Sequence, residues 1–530
     1  MSNANLGWIM SRRDQVEQIQ ERRAQAARQG GAEAVARQRA KGRLPLRDRF
    51  ARMLDPGSFQ ELGPAAGAVE YDEAGNEVGF TPANFLLGFG QLDGRPCVIG
   101  GEDFTVRGGS PNPAGLRKSV HAEELAVTYR VPLVRLHEGA GGSVTGAAGK
   151  GAGTRPPVGS SVAAPPRFRS VARAMATVPV ASAALGAVAG LPAARLVASH
   201  FSVMTRDTAQ VLIGGPALVE RALGEKLSKD ELGGAEVHGA SGVVDNVATD
   251  EADAFAQIRR FLSYLPLNVW QLPPRQATDD TADRREADLL EIVPEDRRRP
   301  FNMRKLIRLV VDRDSFFEFG RAFGPGQITG LARLDGHAVG LLANDCRFYA
   351  GAMTADGAHK VRRFIELCDT FHLPILSLVD EPGFMIGAAA ERSGAMRHGT
   401  AAVLAAAESV VPWASVIVRK SFGVAQAAHF GPDGYVLAWP SAEMGPLPVE
   451  GGVAVAFGRE IAAAADPEAL RRELEDRFAA GQSAAPRAES FAIHDLIDPR
   501  ETRPALVQWI NLCGPRLEAL TGPTRFSIRP

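Results

Sequence analysis

Apolar runs of strand length alternate along this chain with longer stretches of mixed polarity. In LGFGQLDGRPCVIGGEDF (87–104), two β-like runs flank Asp93-Gly94, and an Asp-Gly pair in that setting predicts a hairpin. A helix is expected over about 115–130, followed by a buried strand in VPLVRLHE (131–138). Upstream, RFARMLDPGSFQEL (49–62) reads as a short helix, a Pro-Gly turn and a strand entry. Residues 12–40 are rich in Arg, Gln, Glu and Ala and read as one polar helix, solvated or with arginines turned to an anionic ligand.

The same order of signals returns in the second part of the chain. Asp-Arg-Asp-Ser-Phe-Phe-Glu-Phe (312–319) echoes Asp-Pro-Gly-Ser-Phe-Gln-Glu-Leu (55–62), and LARLDGHAVGLLAND (331–345) echoes FGQLDGRPCVIGGED (89–103). Asp93 and Asp335 stand 242 positions apart, as do Lys118 and Lys360, and Pro132 and Pro374. Further on, VPVASAALGAVAGLPAA (178–194) matches VPWASVIVRKSFGVAQAA (411–428) at a spacing of 233, so the first copy carries nine extra residues, placed in the Gly-rich stretch after Glu138. A constant spacing over so many positions predicts two homologous α/β halves. The expected organisation is a helical extension (1–40), a first domain (41–272), a charged and Pro-bearing linker (273–300) and a second domain (301–530).

Composition narrows the class. Hydrophobic residues make up 45% and charged residues 23% of 530, with a formal net charge of −1, so no global electrostatic attraction to nucleic acid or membrane is expected. No apolar run is long enough to span a bilayer, and no signal-peptide pattern opens the chain. The four cysteines lack metal-knuckle spacing and read as free thiols in a reducing cytoplasm.

The chemistry concentrates in a few segments. Gly139–Gly159 holds eight glycines and two cations, Lys150 and Arg155, which suits either a loop closing over a ligand or a surface insertion. In LGAVAGLPAARL (185–196) a β-rich run breaks at Gly186 and Gly190 and enters a helix. Such a turn presents free amide N–H groups that can stabilise an oxyanion, or serves packing alone. VIVRKSFGVAQAAHF (416–430) repeats it, with Gly423 aligned to Gly190 and Val424 to Leu191. Two such turns suit a reaction with two developing negative oxygens. Arg397 and His398, after the Pro382-Gly383 break, are candidate side chains, although a lone His on a helix face is more often structural. AWPSAEMGPLPVEGG (438–452) reads as a loop with close backbone packing. Hydrolytic signatures such as G-x-S-x-G and HExxH are absent from the sequence, which leaves a reaction served by backbone dipoles.

Several segments taken together resemble the carboxyltransferase (β) subunits of biotin-dependent acyl-CoA carboxylases of the propionyl-CoA and methylcrotonyl-CoA type. The matching segments are KGRLPLRDRFARMLDPGSF (41–59), DFTVRGGS (103–110), DELGGAEVHGASGVVDNVATDEADA (230–254), FLSYLPLN (261–268), VDEPGFMIG (379–387), RKSFG (419–423) and AWPSAEMG (438–445). The resemblance implies two tandem crotonase-like ββα-superhelix domains of the ClpP/crotonase superfamily. It implies acyl-CoA bound by the first half and carboxybiotin by the second half of a neighbouring subunit, in a homohexameric trimer of dimers. Carboxybiotin would release CO2, the biotin enolate would take the α-proton, and the thioester enolate would capture CO2. The thioester hole then falls on the amides of Gly190 and Leu191, and the biotin hole on Val424 and Ala425 beside Gly423. Gly139, Gly141, Gly142, Lys150 and Ala427 fall at substrate-binding positions, and no metal is called for. Since biotinylation and ATP-grasp motifs are missing from the sequence, biotin and its carboxylase belong on a partner (α) subunit.

The chain also departs from the pattern. Family members carry a second glycine where Leu191 stands, and Gly-Gly-Ala where Gly423-Val424-Ala425 stands. Pro192 is expected to restrict Leu191 to extended geometry. Propionyl-CoA members carry Asp at the position of Ala427, and their Ser-Gly-Gly-Ala-Arg stretch is replaced by His137-Glu138-Gly139-Ala140-Gly141-Gly142. The alternatives are a decarboxylase or transcarboxylase subunit of the same superfamily, and a non-catalytic scaffold for the biotin-bearing subunit.

Overall fold

The computed structural model describes residues 11–141 and 168–524. Its contacts divide the chain into two compact units, Met1–Val237 with Val247–Arg259, and His238–Asn246 with Arg260–Pro530. The strands up to the second unit are β1 (Gln60–Glu61), β2 (Gly67–Tyr71), β3 (Glu77–Pro82), β4 (Phe85–Leu92), β5 (Arg95–Glu102), β6 (Leu133–Gly139), β7 (Val180–Ala189), β8 (Phe201–Thr205), β9 (Gln210–Leu212) and β10 (Asn246–Ala248). Those of the second are β11 (Phe317–Phe319), β12 (Gln327–Leu334), β13 (His337–Asn344), β14 (Ile375–Glu381), β15 (Trp413–Phe422), β16 (Tyr435–Ala438), β17 (Glu443–Gly445) and β18 (Asp495–Leu496).

The first sheet runs β1-β4-β5-β6-β7-β8-β10 with β9 beside β7, and the second runs β11-β12-β13-β14-β15-β16-β18 with β17 beside β15. The two orders agree strand for strand. In each, an antiparallel hairpin leads into parallel strands, reached through a helix: Pro113–Tyr129 between β5 and β6, and Ala355–Thr370 between β13 and β14. Both helices begin on a side-chain cap. Asn112 Oδ1 accepts the Gly115 N–H (2.7 Å) and Thr354 Oγ1 that of Gly357 (3.0 Å). The parallel strands β6 and β14 are buried along their whole length, so their polar members Arg135, His137, Glu138, Ser377, Asp380 and Glu381 are buried too.

The spacing in the sequence is the spacing of the strands. Phe85 and Gln327, Arg95 and His337, and Leu133 and Ile375 open matched strands 242 positions apart; Val180 and Trp413, and Gln210 and Glu443, do so at 233. The earlier pair Asp55 and Asp312 are 257 apart. The difference is the β2–β3 hairpin, which pairs only with itself and has no counterpart in the second half. The shared Asp-x-x-Ser signal has a physical reason. Both hairpin turns take left-handed backbone, at Asp93-Gly94 (φ 51° and 75°) and Asp335-Gly336 (φ 50° and 76°). Asp55 accepts the amides of residues 93 and 94 (3.0 and 2.8 Å), and Asp312 those of 335 and 336 (3.0 and 2.8 Å).

Three expectations are corrected. Residues 12–40 form two helices, Arg12–Ala27 and Ala32–Ala40, because the chain turns through left-handed Gln29 (φ 55°) and Gly31 (φ 91°). Gly186 does not break β7, which runs on to Ala189; a Cβ there would lie 2.4 Å from Glu138 Oε1, so the glycine makes room for a buried carboxylate. The segment 273–300 is folded onto the second sheet rather than loose. Leu289 is buried with Leu306, Ile307, Val339 and Leu376, and Arg284 bridges Asp280 (2.6 Å) and the Leu309 and Val311 carbonyls (2.8 Å each).

Among the described residues no helix is long and apolar enough to cross a membrane. All four cysteines are buried and unpaired.

Candidate active site

The two predicted turns close β7 and β15. Gly190 has φ +66° and ψ −127°, a region open to glycine, and Gly423 has φ +64°. Gly190 is pressed against Gly141: a Cβ built on it would lie 2.5 Å from the Gly141 Cα. Gly423 is roomier, its nearest atom being the Pro446 carbonyl oxygen at 3.6 Å from a built Cβ. The N–H groups of Leu191, Val424 and Ala425 meet no acceptor among the described residues. The Gly423 N–H is engaged by the Gly445 carbonyl (3.2 Å), so Gly423 supplies the turn and the donors follow it. Val424 is 64% exposed and Ala425 is buried.

Pro192 does not hold Leu191 extended. Leu191 opens the helix Leu191–Val197, and Pro192 sits in its first turn, where a missing N–H forfeits no helical bond. Gly139 ends β6 and Gly141 abuts the Gly190 turn. Ala427 is half-buried, its N–H donating to the Val424 carbonyl (3.1 Å). Gly142 and Lys150 lie outside the described residues. Arg397 is exposed, and the His398 ring lies 4.0 Å from that of His359.

A shallow cleft opens beside Leu191 and Pro192, walled by Phe85, Pro111 and Leu116 together with Glu102 and Arg195. Burial pushes the Glu102 carboxyl up, but His137 (Nδ1 to Oε2, 3.0 Å) and Arg195 outweigh it and hold the group below its ordinary range. Arg195 donates to Glu123 (2.8 Å) and to the Ser119 hydroxyl (2.8 Å). Arg135, also beside Glu123, has its pKa lowered by burial to about 10.

The second half holds a different polar group under its turn. Glu381, at the end of β14, is fully buried; its Oε1 accepts the Gly383 N–H (3.0 Å) and its Oε2 the Asn344 amide (3.1 Å). His429 Nε2 stands 3.4 Å from that oxygen, and His429 Nδ1 meets the Ser377 hydroxyl at 2.9 Å. Burial raises the Glu381 carboxyl above its ordinary range, and His429 offsets part of the rise. This constellation was missed in the sequence. The available signal was a carboxylate closing the apolar run ILSLVDE, which a buried strand accepts only when the group is answered.

The N-terminal helices reach the same region of the first half. Gln38 (2.6 Å), Arg43 (2.7 Å) and Arg49 (2.7 Å) converge on the buried Glu138, and Arg49 also pairs with Glu251 (2.8 Å). Arg49 is thereby held in its charged form: burial lowers its pKa, but the two carboxylates raise it by more.

A carboxyl transferase domain model matches residues 37–519. The carboxyltransferase subunit of propionyl-CoA carboxylase from Haloferax mediterranei is 34% identical over 507 residues, covering 94% of this chain and 96% of that protein. Subunit alpha of methylmalonyl-CoA decarboxylase from Veillonella parvula is 30% identical, covering 95% of this chain and 97% of its own. The crystal structure of transcarboxylase 12S, a hexamer with methylmalonyl-coenzyme A and methylmalonic acid bound, superposes with a TM-score of 0.85 at 28% identity over 99% of both chains.

Proposed function

The chain belongs to the carboxyl transferase domain family, a carboxyltransferase enzyme of acyl-CoA carboxylase type, and from that premise we propose that it moves a carboxyl group from carboxybiotin to the α-carbon, or a vinylogous carbon, of an acyl-CoA. The observation that carries the reading is the repeated turn: after both β7 and β15 a left-handed glycine is followed by amides that find no acceptor among the described residues. Negative charge develops on two oxygens in this reaction, and preorganised amides stabilise such charge better than mobile water does.

In this reading the first half takes the acyl-CoA. The Leu191 N–H, with that of Gly190, donates to the thioester oxygen, and the cleft at Phe85, Leu116 and Pro192 receives the acyl group. Gly139 and Gly141 border that side. In the second half Val424 and Ala425 donate to the ureido oxygen, Gly423 sets the turn, and Ala427 lies where the ring enters. Carboxybiotin supplies the carboxyl group and arrives on a biotin-bearing partner subunit. The exposure of Val424 supports access from outside the chain. A hexameric core follows the precedent of transcarboxylase 12S.

The test is co-expression with candidate biotin-bearing subunits and measurement of ATP-dependent fixation of labelled bicarbonate into acetyl-, propionyl-, methylcrotonyl- and longer acyl-CoAs. Incorporation into one of them is expected, and none with any partner would sink the reading. The likeness to a methylmalonyl-CoA decarboxylase subunit favours, as second reading, biotin-linked decarboxylation; ATP-independent CO2 release from a carboxyacyl-CoA without net fixation would replace the first.

A further inference from the structure

Matched positions in the two halves show which buried groups the fold demands. Glu381 corresponds to Gly139, both closing their strands, and His429 corresponds to Leu196, fully buried in the helix after the first turn. The first half therefore builds the same strands and the same glycine turn without a carboxylate or an imidazole at these places. A buried Glu–His pair is expensive to desolvate and weak as a source of stability. The first half has its own buried Glu–His contact, but at other positions, Glu102 and His137 (3.0 Å), so the placing of Glu381 and His429 around the second turn calls for its own explanation.

The contacts of the pair point to one. Glu381 Oε1 holds the Gly383 N–H, and the Gly383 turn runs alongside the end of β15, where a Cβ on Gly383 would lie 4.0 Å from the Phe422 carbonyl oxygen. Glu381 Oε2 faces His429, the last residue of the segment Ala425–His429. The imidazole is fixed on its other side by the Ser377 hydroxyl (2.9 Å), and the His429 carbonyl accepts the Ser415 hydroxyl (2.7 Å). Neither side chain is solvent-exposed, so neither touches substrate.

We propose that Glu381 and His429 are positioning residues that brace the Gly423–Ala425 turn against the Pro382–Gly383 turn and so hold the Val424 and Ala425 N–H groups on the developing ureido oxyanion. The inference rests on the functional reading above. A displacement of about 1 Å at such a site costs on the order of 10²-fold in rate.

The experiment uses the full chain with its biotin-bearing partner and two variants, Glu381→Gln and the double variant Glu381→Gly/His429→Leu, which installs the residues of the first half. Hydrogen exchange at residues 424–429 is expected to speed about tenfold in both, with no change at 191–197. The kcat of carboxyl transfer is expected to fall about 10²-fold with the KM for acyl-CoA unchanged. Unchanged exchange at 424–429 overturns the proposal whatever the activity, as does an unchanged kcat or a matching rise in the KM for acyl-CoA. If the double variant does not fold, the near-isosteric Glu381→Gln decides. A wild-type chain inactive with every partner sinks the functional reading, while the exchange measurement still judges the brace.

Discussion

The Cα of Gly141 stands 2.5 Å from the place where a Cβ on Gly190 would lie. Two chain segments thus meet at the first turn with no room for a methyl group, and Gly190 also has φ +66°. Gly190→Ala is expected to combine left-handed strain of roughly 1–2 kcal/mol with a steric push on Gly141. Carboxyl transfer should fall by about 10²-fold or more. Gly423→Ala meets nothing closer than 3.6 Å and should be the milder of the two. Steady-state rates of both variants check the ranking, and equal damage would contradict it.

Proline scanning separates donor from scaffold. Leu191→Pro removes one N–H at the first helical position, where proline is tolerated. Val424→Pro does the same at a residue whose φ of −73° already suits proline. Each is expected to lower kcat by about 10²–10³-fold, as loss of a single oxyanion donor does. Thermal melts should move by a few degrees at most. Full activity in either variant would remove that amide from the mechanism.

Asp369 offers a pH test of the second half. Burial pushes its carboxyl up to about 6 from 3.8, while Ser409 Oγ (2.8 Å) and the Val410 and Val411 amides (3.2 and 3.4 Å) donate to it. The folded state therefore binds more protons than the unfolded between about pH 4 and 6, and the stability this confers is full below pH 4 and lost as pH rises through 6. Asp369→Asn keeps the acceptor and the size without the charge. It is expected to stabilise the fold at pH 7–8 by on the order of 3 kcal/mol, and by nothing at pH 4. Melting curves across that range check it.

Arg49 is buried between Glu138 and Glu251. Arg49→Met leaves both carboxylates short of a partner and is expected to destabilise the first half by about 3–5 kcal/mol. Chemical denaturation followed by a first-half probe measures this. Arg39→Ala, at an exposed pair with Asp48, should cost under about 1 kcal/mol.

The duplication was legible because strand order and hairpin turns leave residues at fixed spacing: Asp93 and Asp335 mark identical turns, and Pro132 and Pro374 identical strand entries. Both glycine turns were legible for the same reason. Less legible was what lies beneath them. Glu102 and His137 are brought together by parallel pairing of β5 with β6, and Glu381 and His429 by the return of the chain after the Gly423 turn, neither of which periodicity reports. Leu191 was misjudged because the local restraint from Pro192 yields to the helix that follows. Gly186 was misjudged because its reason is the Glu138 side chain from the neighbouring strand. The segment 273–300 looked like a linker by composition, and only the second core shows where Leu289 goes.

The β2–β3 hairpin is an insertion the second half does without. Its tip, where Asp72 accepts the Asn76 (2.7 Å) and Ala74 (3.0 Å) amides, is exposed and takes no part in the large sheet. A short peptide tag or fluorophore grafted between Glu73 and Gly75 would disturb neither the Gly190 turn nor the strand that carries it. The hairpin therefore provides a handle by which the protein can be immobilised, counted or watched during carboxyl transfer.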